Sequence, residues 1–153
     1  MGGFLIVDEI MTDTLDRQAR SERMSRIRGK DSKPELVVRR LVHGMGFRYR
    51  LHRKDVPGKP DLVFGSRKKV IFVHGCFWHR HNDSACKLSR LPKSRLDFWL
   101  PKLERNAERD AENSARLKAL GWDEMIVWEC QVTKANLPVL SENIRKFLCD
   151  EVD

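Results

Sequence analysis

The order of apolar and polar positions along the chain predicts a small domain in which helices enclose a short sheet. Stretches with helical spacing of apolar residues are separated by short apolar or alternating runs, which are typical of strands. The predicted elements are, in chain order, helices at 16–29 and 32–44, strands at 47–51, 62–64 and 70–73, a helix at about 101–120, a strand at 125–128 and a helix at 140–149. This order predicts an α/β fold with helices on both sides of a mixed central sheet.

Local signals mark several of these boundaries, among them Pro101, which fits the first turn of the long helix, and Gly121, which follows its last residue. Ser32 is a candidate N-cap of the second helix, with Pro34 in the first turn and Glu35 three residues after the cap. A turn rich in Pro and Gly brings Asp61 to the head of the strand at 62–64, and a short loop leads from that strand to the next. We therefore expect these two strands to pair as a hairpin.

The distribution of charge points to a polyanionic partner. The chain has 153 residues, which suits one domain at 16–153 preceded by a loosely attached extension at 1–15. Its formal net charge is +8, and residues 17–54 alone hold thirteen Lys or Arg against three acids, a local charge of +10. Such a one-sided basic field favours nucleic acid, because neutralised phosphates release counterions. The alternative is a basic surface that is merely solvated.

Cysteine usage and hydropathy indicate the compartment. Four cysteines are too few and too uneven for a small disulfide scaffold, and no run approaches the ~20 apolar residues of a membrane span. The apolar run at 4–7 lacks a preceding basic region, so it does not resemble a signal peptide. We expect a cytoplasmic protein without a membrane partner, whose reduced thiols are free to bind metal.

Residues that bind metals concentrate just after the predicted strand at 70–73. Three of the five histidines and two of the four cysteines lie within residues 74–86. Tetrahedral zinc takes Cys and His ligands, so this loop can supply three of them and Cys130 the fourth. The spacing fits either His79 or His81 as the histidine ligand, and Cys149 stands apart. The alternative is that the cysteines are small buried apolar residues and the histidines surface groups.

A second candidate site involves the predicted hairpin. Asp61 at the head of one strand and His74 at the end of the next would lie close together, as in nucleases, where a carboxylate holds Mg²⁺ and another group activates water. Taken alone, Asp61 is better explained as a residue that caps the turn. Glu35 is likewise explained fully by its position in a capping box.

Adjacent aromatic residues offer a third feature. Phe77 and Trp78 follow one strand, and Phe98 and Trp99 precede the long helix. Each would ordinarily belong to the core. Two neighbouring aromatics cannot both face inward from a strand, however, so we expect one of each pair to face outward. In a basic protein it could insert between DNA bases.

Five segments together carry a resemblance to a known family. The segments ERMSRIRGKDSKPEL, VPGKPDLVF, VIFVHGCFWHRH, FWLPKLERNAERD and WDEMIVWEC, in this order, resemble the very short patch repair DNA mismatch endonucleases. The resemblance covers residues 16–149 and implies a restriction-endonuclease-like fold of the PD-(D/E)xK type. It implies hydrolytic nicking of DNA on the 5′ side of the thymine in a T:G mismatch, which arises when 5-methylcytosine deaminates.

The resemblance also implies roles for individual residues. Asp61 and the main-chain carbonyl of Val73 would bind the catalytic Mg²⁺, and His74 would occupy the place that lysine has in related nucleases. His79 would orient or deprotonate the attacking water, and Glu35 would reach the same metal and water cluster. Two residues of the long helix would support the site, namely Asn106 and Asp110.

The remaining implied roles concern zinc, DNA and partners. The structural zinc ligands would be Cys76, His81, Cys86 and Cys130. The residues that wedge into the DNA stack would be Phe77, Trp78 and Trp99 from the major groove and Met24 from the minor groove. The enzyme would act as a monomer on double-stranded DNA, coupled functionally to a cytosine-5 DNA methyltransferase.

Two alternatives to this function remain at the level of the sequence. The first is a nuclease of the same fold that acts on another DNA substrate. The second is a catalytically silent DNA-binding module stabilised by zinc. Comparing the cleavage of T:G duplexes with that of matched C:G duplexes distinguishes the first alternative from a mismatch endonuclease. Mg²⁺-dependent nicking would exclude the second alternative.

Overall fold

The computed structural model describes residues 32–149, which form three helices and one four-stranded sheet. The elements are α1 (Lys33–Gly44), β1 (Arg50–Leu51), β2 (Leu62–Phe64), β3 (Lys69–His74), α2 (Leu96–Ala119), β4 (Asp123–Trp128) and α3 (Leu137–Cys149). The extension at 1–15 and the predicted helix at 16–29, with Met24, lie outside the described residues. None of the helices described is long and apolar enough to cross a membrane.

The sheet is mixed, as the sequence predicts. Its strand order is β1-β2-β3-β4, and the predicted hairpin is confirmed, because β2 and β3 pair antiparallel with Leu62 opposite Ile71. β4 runs parallel to β3, and α2 forms the crossover between them. The carboxyl ends of β3 and β4 therefore lie side by side at one edge of the sheet.

Helices cover both faces of the sheet, as the sequence also predicts. Side chains alternate between the faces of a strand, so neighbouring residues of β2 and β3 enter two different cores. The first core, with α1 and α3, contains Val38, Val42, Leu62, Phe64, Ile71, Val127, Leu140, Ile144 and Leu148. The second core, with α2, contains Val56, Val63, Val70 and Leu117, with Phe72 and Trp122 packed against it.

Three predicted boundaries differ from the structure by three residues or more. The strand predicted at 47–51 is limited to Arg50–Leu51, and α3 starts at Leu137, so that Pro138 lies in its first turn. The long helix begins at Leu96, so Pro101 lies inside it and not in the first turn. Its start is set by Trp99, which is fully buried. This anchor is a tertiary contact, and the local proline signal does not reveal it.

Candidate active site and metal centre

Asp61 lies where β2 begins and β3 ends. The antiparallel register brings the residue before Leu62 next to the last residues of β3. There Asp61 Oδ2 accepts a hydrogen bond of 2.7 Å from the main-chain N–H of Val73. The carboxylate is therefore tied to the strand that ends in His74, and it does more than cap the preceding turn.

Glu35 and His52 approach Asp61 from α1 and from the end of β1, and these three residues form what we call the carboxylate cluster. His52 Nε2 lies 3.0 Å from Glu35 Oε2 and 3.5 Å from Asp61 Oδ1. Glu35 is buried and forms an ion pair with Arg39. The Ser32 side chain does accept from the Glu35 N–H at 3.4 Å. The Glu35 carboxylate, however, points to this cluster, so capping alone does not explain it.

The carboxylate cluster has the properties of a cation site. Burial raises the pKa of Asp61 to about 7, the nearby Glu35 carboxylate adds to the rise, and the Val73 N–H opposes it. One potential ligand atom from each residue lies within 4.8 Å of the other two. A divalent cation between the two carboxylates would stabilise both in their ionised forms, so this set of donors fits Mg²⁺.

His74, His79 and Asp110 form a second group, the histidine cluster. His79 Nδ1 lies 2.5 Å from Asp110 Oδ2, and the rings of His74 and His79 stack with centroids 3.8 Å apart. Burial lowers the pKa of His74 to about 3, and the adjacent His79 adds to the decrease. With Nδ1–H donated to Asp110, His79 keeps Nε2 as an acceptor, which is the arrangement of a general base.

The structure thus divides the predicted catalytic residues between two neighbouring clusters. Asp61 and Glu35 belong to the carboxylate cluster, and His74 and His79 belong to the histidine cluster. The two adjoin through the backbone, because Asp61 binds the N–H of Val73 and His74 follows directly. That all of them act on one cation, with the Val73 carbonyl as a further ligand, stays a prediction.

The two supporting residues of α2 both make specific contacts. Asp110 binds His79, as described, and the buried Asn106 donates a hydrogen bond of 3.0 Å to the main-chain carbonyl of Trp78. Asn106 therefore holds the turn that carries His79. Their position on the core-facing side of α2, beside Leu103 and Leu117, follows from the helical spacing.

Cys76, His81, Cys86 and Cys130 form a third group, the cysteine cluster. Their potential ligand atoms lie within 4.8 Å of one another, and Cys130 Sγ lies 3.5 Å from His81 Nδ1. Tetrahedral Zn²⁺ with Zn–S bonds of about 2.3 Å places sulfurs about 3.8 Å apart, so the set fits zinc. His79 is engaged by Asp110, which leaves His81 as the histidine of this group. Cys149 is exposed and separate.

The cysteine cluster forms because two strand ends are neighbours. Cys76 and His81 lie in the turn after β3, and Cys130 lies in the turn after the parallel strand β4. The Cys130 N–H donates to Cys76 Sγ at 3.4 Å, and the His81 ring stacks on Trp128 with centroids 4.2 Å apart. Burial raises the pKa of the Cys76 thiol. A bound cation would supply the charge that stabilises its thiolate.

Phe77, Trp78 and Trp99 form an aromatic cluster that is buried. Their rings contact one another edge to face, with centroids 5.1 to 6.1 Å apart. The expectation that one of Phe77 and Trp78 faces outward is wrong, because these residues lie in a tight turn and not in a strand. The turn is closed by a hydrogen bond of 2.9 Å from the His81 N–H to the Cys76 carbonyl. Insertion of these rings into DNA stays a prediction, and it requires the turn to open.

Trp99→Ala tests whether the aromatic cluster supports the fold. We expect the free energy of unfolding to fall by about 3–5 kcal/mol, the usual cost of removing a buried aromatic side chain. Chemical denaturation followed by circular dichroism measures the change. The matched control is Leu96→Ala in the same helix turn, where the side chain is exposed and the expected change is within about 0.5 kcal/mol. Equal values for the two variants would contradict a core role for Trp99.

Comparison with known proteins gives the family. A family model described as "DNA mismatch endonuclease Vsr" matches residues 12–85. The nicking enzyme V.XorIIP of Xanthomonas oryzae is 49% identical over 90% of this chain and 98% of its own length. The nicking enzyme V.NmeAIP of Neisseria meningitidis is 43% identical over 90% and 95%. The DNA mismatch endonuclease Vsr of Escherichia coli is 38% identical over 92% and 90%. The chain belongs to the Vsr family of DNA mismatch endonucleases.

Membership in the Vsr family makes the chain an endonuclease, and it agrees with the resemblance found in the sequence. The matched stretch at 12–85 contains the whole carboxylate cluster and both histidines of the histidine cluster. Asp110 in α2 and Cys130 in the turn after β4 lie beyond this stretch. The alignments with the three relatives cover at least 90% of the chain and include both residues. A divalent metal is the usual partner of such a nuclease, and the carboxylate cluster has suitable donors.

His52 is the residue of the site that the sequence alone does not indicate. It lies among basic residues and belongs to no motif. The signal would have been the pairing of β1 with β2, where Leu51 opposite Leu62 continues to His52 opposite Asp61. That register depends on a contact between strands, so no local pattern reveals it.

Proposed function

We propose that this chain is a Mg²⁺-dependent DNA repair endonuclease that nicks duplex DNA on the 5′ side of the thymine in a T:G mismatch. The observation that carries the proposal is the position of Asp61. Its carboxylate is held against the end of β3, and the pair of His79 and Asp110 lies directly beyond that strand end. A metal-binding carboxylate next to an oriented imidazole is the equipment of hydrolytic phosphodiester cleavage.

Each catalytic residue then has a defined role. Asp61, with the main-chain carbonyl of Val73 and with Glu35 nearby, would hold Mg²⁺, which when bound supplies Lewis-acid stabilisation of charge on the phosphate. His79 takes a proton from the attacking water at Nε2, while Asp110 accepts the hydrogen bond from Nδ1–H and stabilises the imidazolium that forms. His74 stacks on His79 and fixes the plane of its ring.

Substrate recognition would combine two contributions. The basic residues at 17–54 hold the phosphates without regard to sequence. Met24 and the residues of the aromatic cluster would insert beside the mismatch after the turn at 75–80 opens. Unstacking costs a few kcal/mol per base step and less at a wobble pair, so insertion itself favours a mismatch. Zn²⁺ in the cysteine cluster would keep the ends of β3 and β4 together.

The cellular setting follows from this substrate. The enzyme would act as a monomer on DNA of the cytoplasmic nucleoid, on lesions left by a cytosine-5 DNA methyltransferase whose product has deaminated. We further propose that the four-stranded sheet is the central sheet of the PD-(D/E)xK nuclease fold, with Asp61 as the Asp of its signature.

A nicking assay tests the proposal. Duplexes of one sequence carrying T:G or matched C:G, with each strand labelled separately, are incubated with and without Mg²⁺. We expect a nick only 5′ of the thymine, only with Mg²⁺, and about 10²-fold faster on T:G, since a difference of about 2.7 kcal/mol in unstacking corresponds to that ratio. Equal cleavage of C:G would indicate a nuclease with another substrate. Binding without nicking would indicate a silent DNA-binding module.

A further inference from the structure

We infer that His52 is a direct nitrogen ligand of the catalytic cation. This nitrogen raises the affinity of the site for Mn²⁺ and later divalent transition metals relative to its affinity for Mg²⁺, compared with a site built from oxygen ligands alone. The inference rests on the proposed function, because it adds a ligand to the cation site at Asp61. It concerns a further ligand of that cation and the effect of this ligand on metal preference, which neither the family match nor the roles proposed above address.

The backbone delivers His52 to this place. β1 and β2 pair antiparallel with Leu51 opposite Leu62, and the next step along the register sets His52 opposite Asp61. His52 has a φ of +47°, in the left-handed region that non-glycine residues adopt infrequently. The chain leaves the strand at this residue, and the turn that follows returns to Asp61. The side chains of His52 and Asp61 therefore lie next to each other at the end of this strand pair.

The position of the imidazole is that of a ligand. Its Nε2 atom is buried and lies 3.0 Å from Glu35 Oε2 and 3.5 Å from Asp61 Oδ1, and yet among residues 32–149 it has no hydrogen-bond partner of acceptable geometry. An octahedral cation with bonds of about 2.1 Å places adjacent ligand atoms about 3 Å apart. The two separations from Nε2 are close to this spacing, and all three potential ligand atoms lie within 4.8 Å of one another, whereas a simple hydrogen bond would need Nε2–H aligned with one oxygen.

The charge balance at the cluster also favours a cation. Two carboxylates, Glu35 and Asp61, face one imidazole ring, and Arg39 compensates for part of their charge through its ion pair with Glu35. A divalent ion supplies the remainder. Since Mg²⁺ prefers oxygen ligands while imidazole binds later transition metals better, a nitrogen in this position shifts the preference of the site.

The test measures metal binding by the full-length, zinc-loaded protein without DNA. Mn²⁺ is titrated and followed by electron paramagnetic resonance, and pulsed experiments record the coupling of bound Mn²⁺ to ligand nitrogen. Mg²⁺ affinity is measured by competition. The variant is His52→Asn, because asparagine tolerates a positive φ and offers an oxygen in place of the nitrogen. The matched control is His43→Asn, which changes an exposed histidine at the end of α1.

We expect wild type and His43→Asn to bind Mn²⁺ with a nitrogen coupling that His52→Asn lacks. We also expect His52→Asn to lose affinity for Mn²⁺ by about tenfold or more, with a smaller loss for Mg²⁺. The wild-type spectrum needs no variant, so bound Mn²⁺ without nitrogen coupling overturns the inference even if His52→Asn does not fold. A nitrogen coupling that persists in folded His52→Asn also overturns the inference.

The outcome is separable from that of the proposed function. If Asp61→Asn abolishes Mn²⁺ binding and the wild type nicks T:G duplexes, but His52→Asn binds Mn²⁺ as the wild type does, only the role of His52 is wrong. If His52-dependent Mn²⁺ binding is found but T:G duplexes are not nicked, the ligand is established and the proposed substrate fails. If the wild type binds no Mn²⁺, both the inference and the cation site at Asp61 are wrong.

Discussion

His79→Ala is expected to slow single-turnover nicking of a T:G duplex by about 10²–10⁴-fold, the usual contribution of a general base. His79 is half-buried, and its Nδ1 lies 2.5 Å from Asp110, which prepares Nε2 to accept a proton from water. Rapid-quench measurement of the nicked strand at saturating enzyme gives the rate. Affinity for the mismatch, measured by fluorescence anisotropy with Ca²⁺ in place of Mg²⁺, should change little.

Two further variants sharpen this prediction. Asp110→Asn keeps the size of the side chain but weakens the contact with His79, so it should slow nicking by a smaller factor and leave the fold intact. His43→Ala removes an exposed histidine of α1 and should nick like the wild type. If His79→Ala instead unfolds the protein or lowers its zinc content, His79 belongs to the metal centre and the role of base is wrong.

Removal of zinc is expected to have the largest effect on stability. Cys130→Ser replaces one of four ligands and should abolish stoichiometric zinc binding and cooperative unfolding, because the free energy of binding structural zinc, about 10–16 kcal/mol in small zinc domains, contributes directly to folding. Cys130 connects the end of β4 to the turn after β3, so its loss should loosen both clusters of the active site. Zinc content by mass spectrometry and thermal denaturation measure the effect.

The chain contains a matched control for this experiment. Cys149→Ser changes an exposed cysteine at the end of α3, outside the cysteine cluster, and should retain zinc and unfold within about 0.5 kcal/mol of the wild type. A strong chelator should reproduce the behaviour of Cys130→Ser in the wild type. Full stability of Cys130→Ser with no zinc bound would contradict a structural metal at this site.

Local patterns were sufficient for much of the fold. The apolar runs at 62–64 and 70–73, separated by a short loop, predicted the β2–β3 hairpin, and the stop at Gly121 predicted the end of α2. The predicted start of α2 was wrong, because the first turns of this helix are fixed by the buried Trp99 and not by Pro101. A proline signal is local, whereas the burial of Trp99 depends on Phe77 and Trp78 from another segment.

The choice between His79 and His81 as the zinc ligand likewise depends on tertiary contacts and not on local sequence. Spacing fits either residue as a partner of the cysteines, because both lie in one short turn. In the structure His79 contacts Asp110 and His81 contacts Cys130, and these two partners come from α2 and from the turn after β4. The two histidines are therefore distinguished by residues that are distant in sequence.

By itself the sequence determined the types of residue available for chemistry, the elements that carry them and the family to which the chain belongs, because periodicity and motif order are local properties. The tertiary structure alone decided the groupings. It placed His52 with Asp61, Asp110 with His79 and Cys130 with Cys76. It also buried the adjacent Phe77 and Trp78 together with Trp99. Strand register and helix docking set these neighbours, and both depend on contacts between segments far apart in the chain.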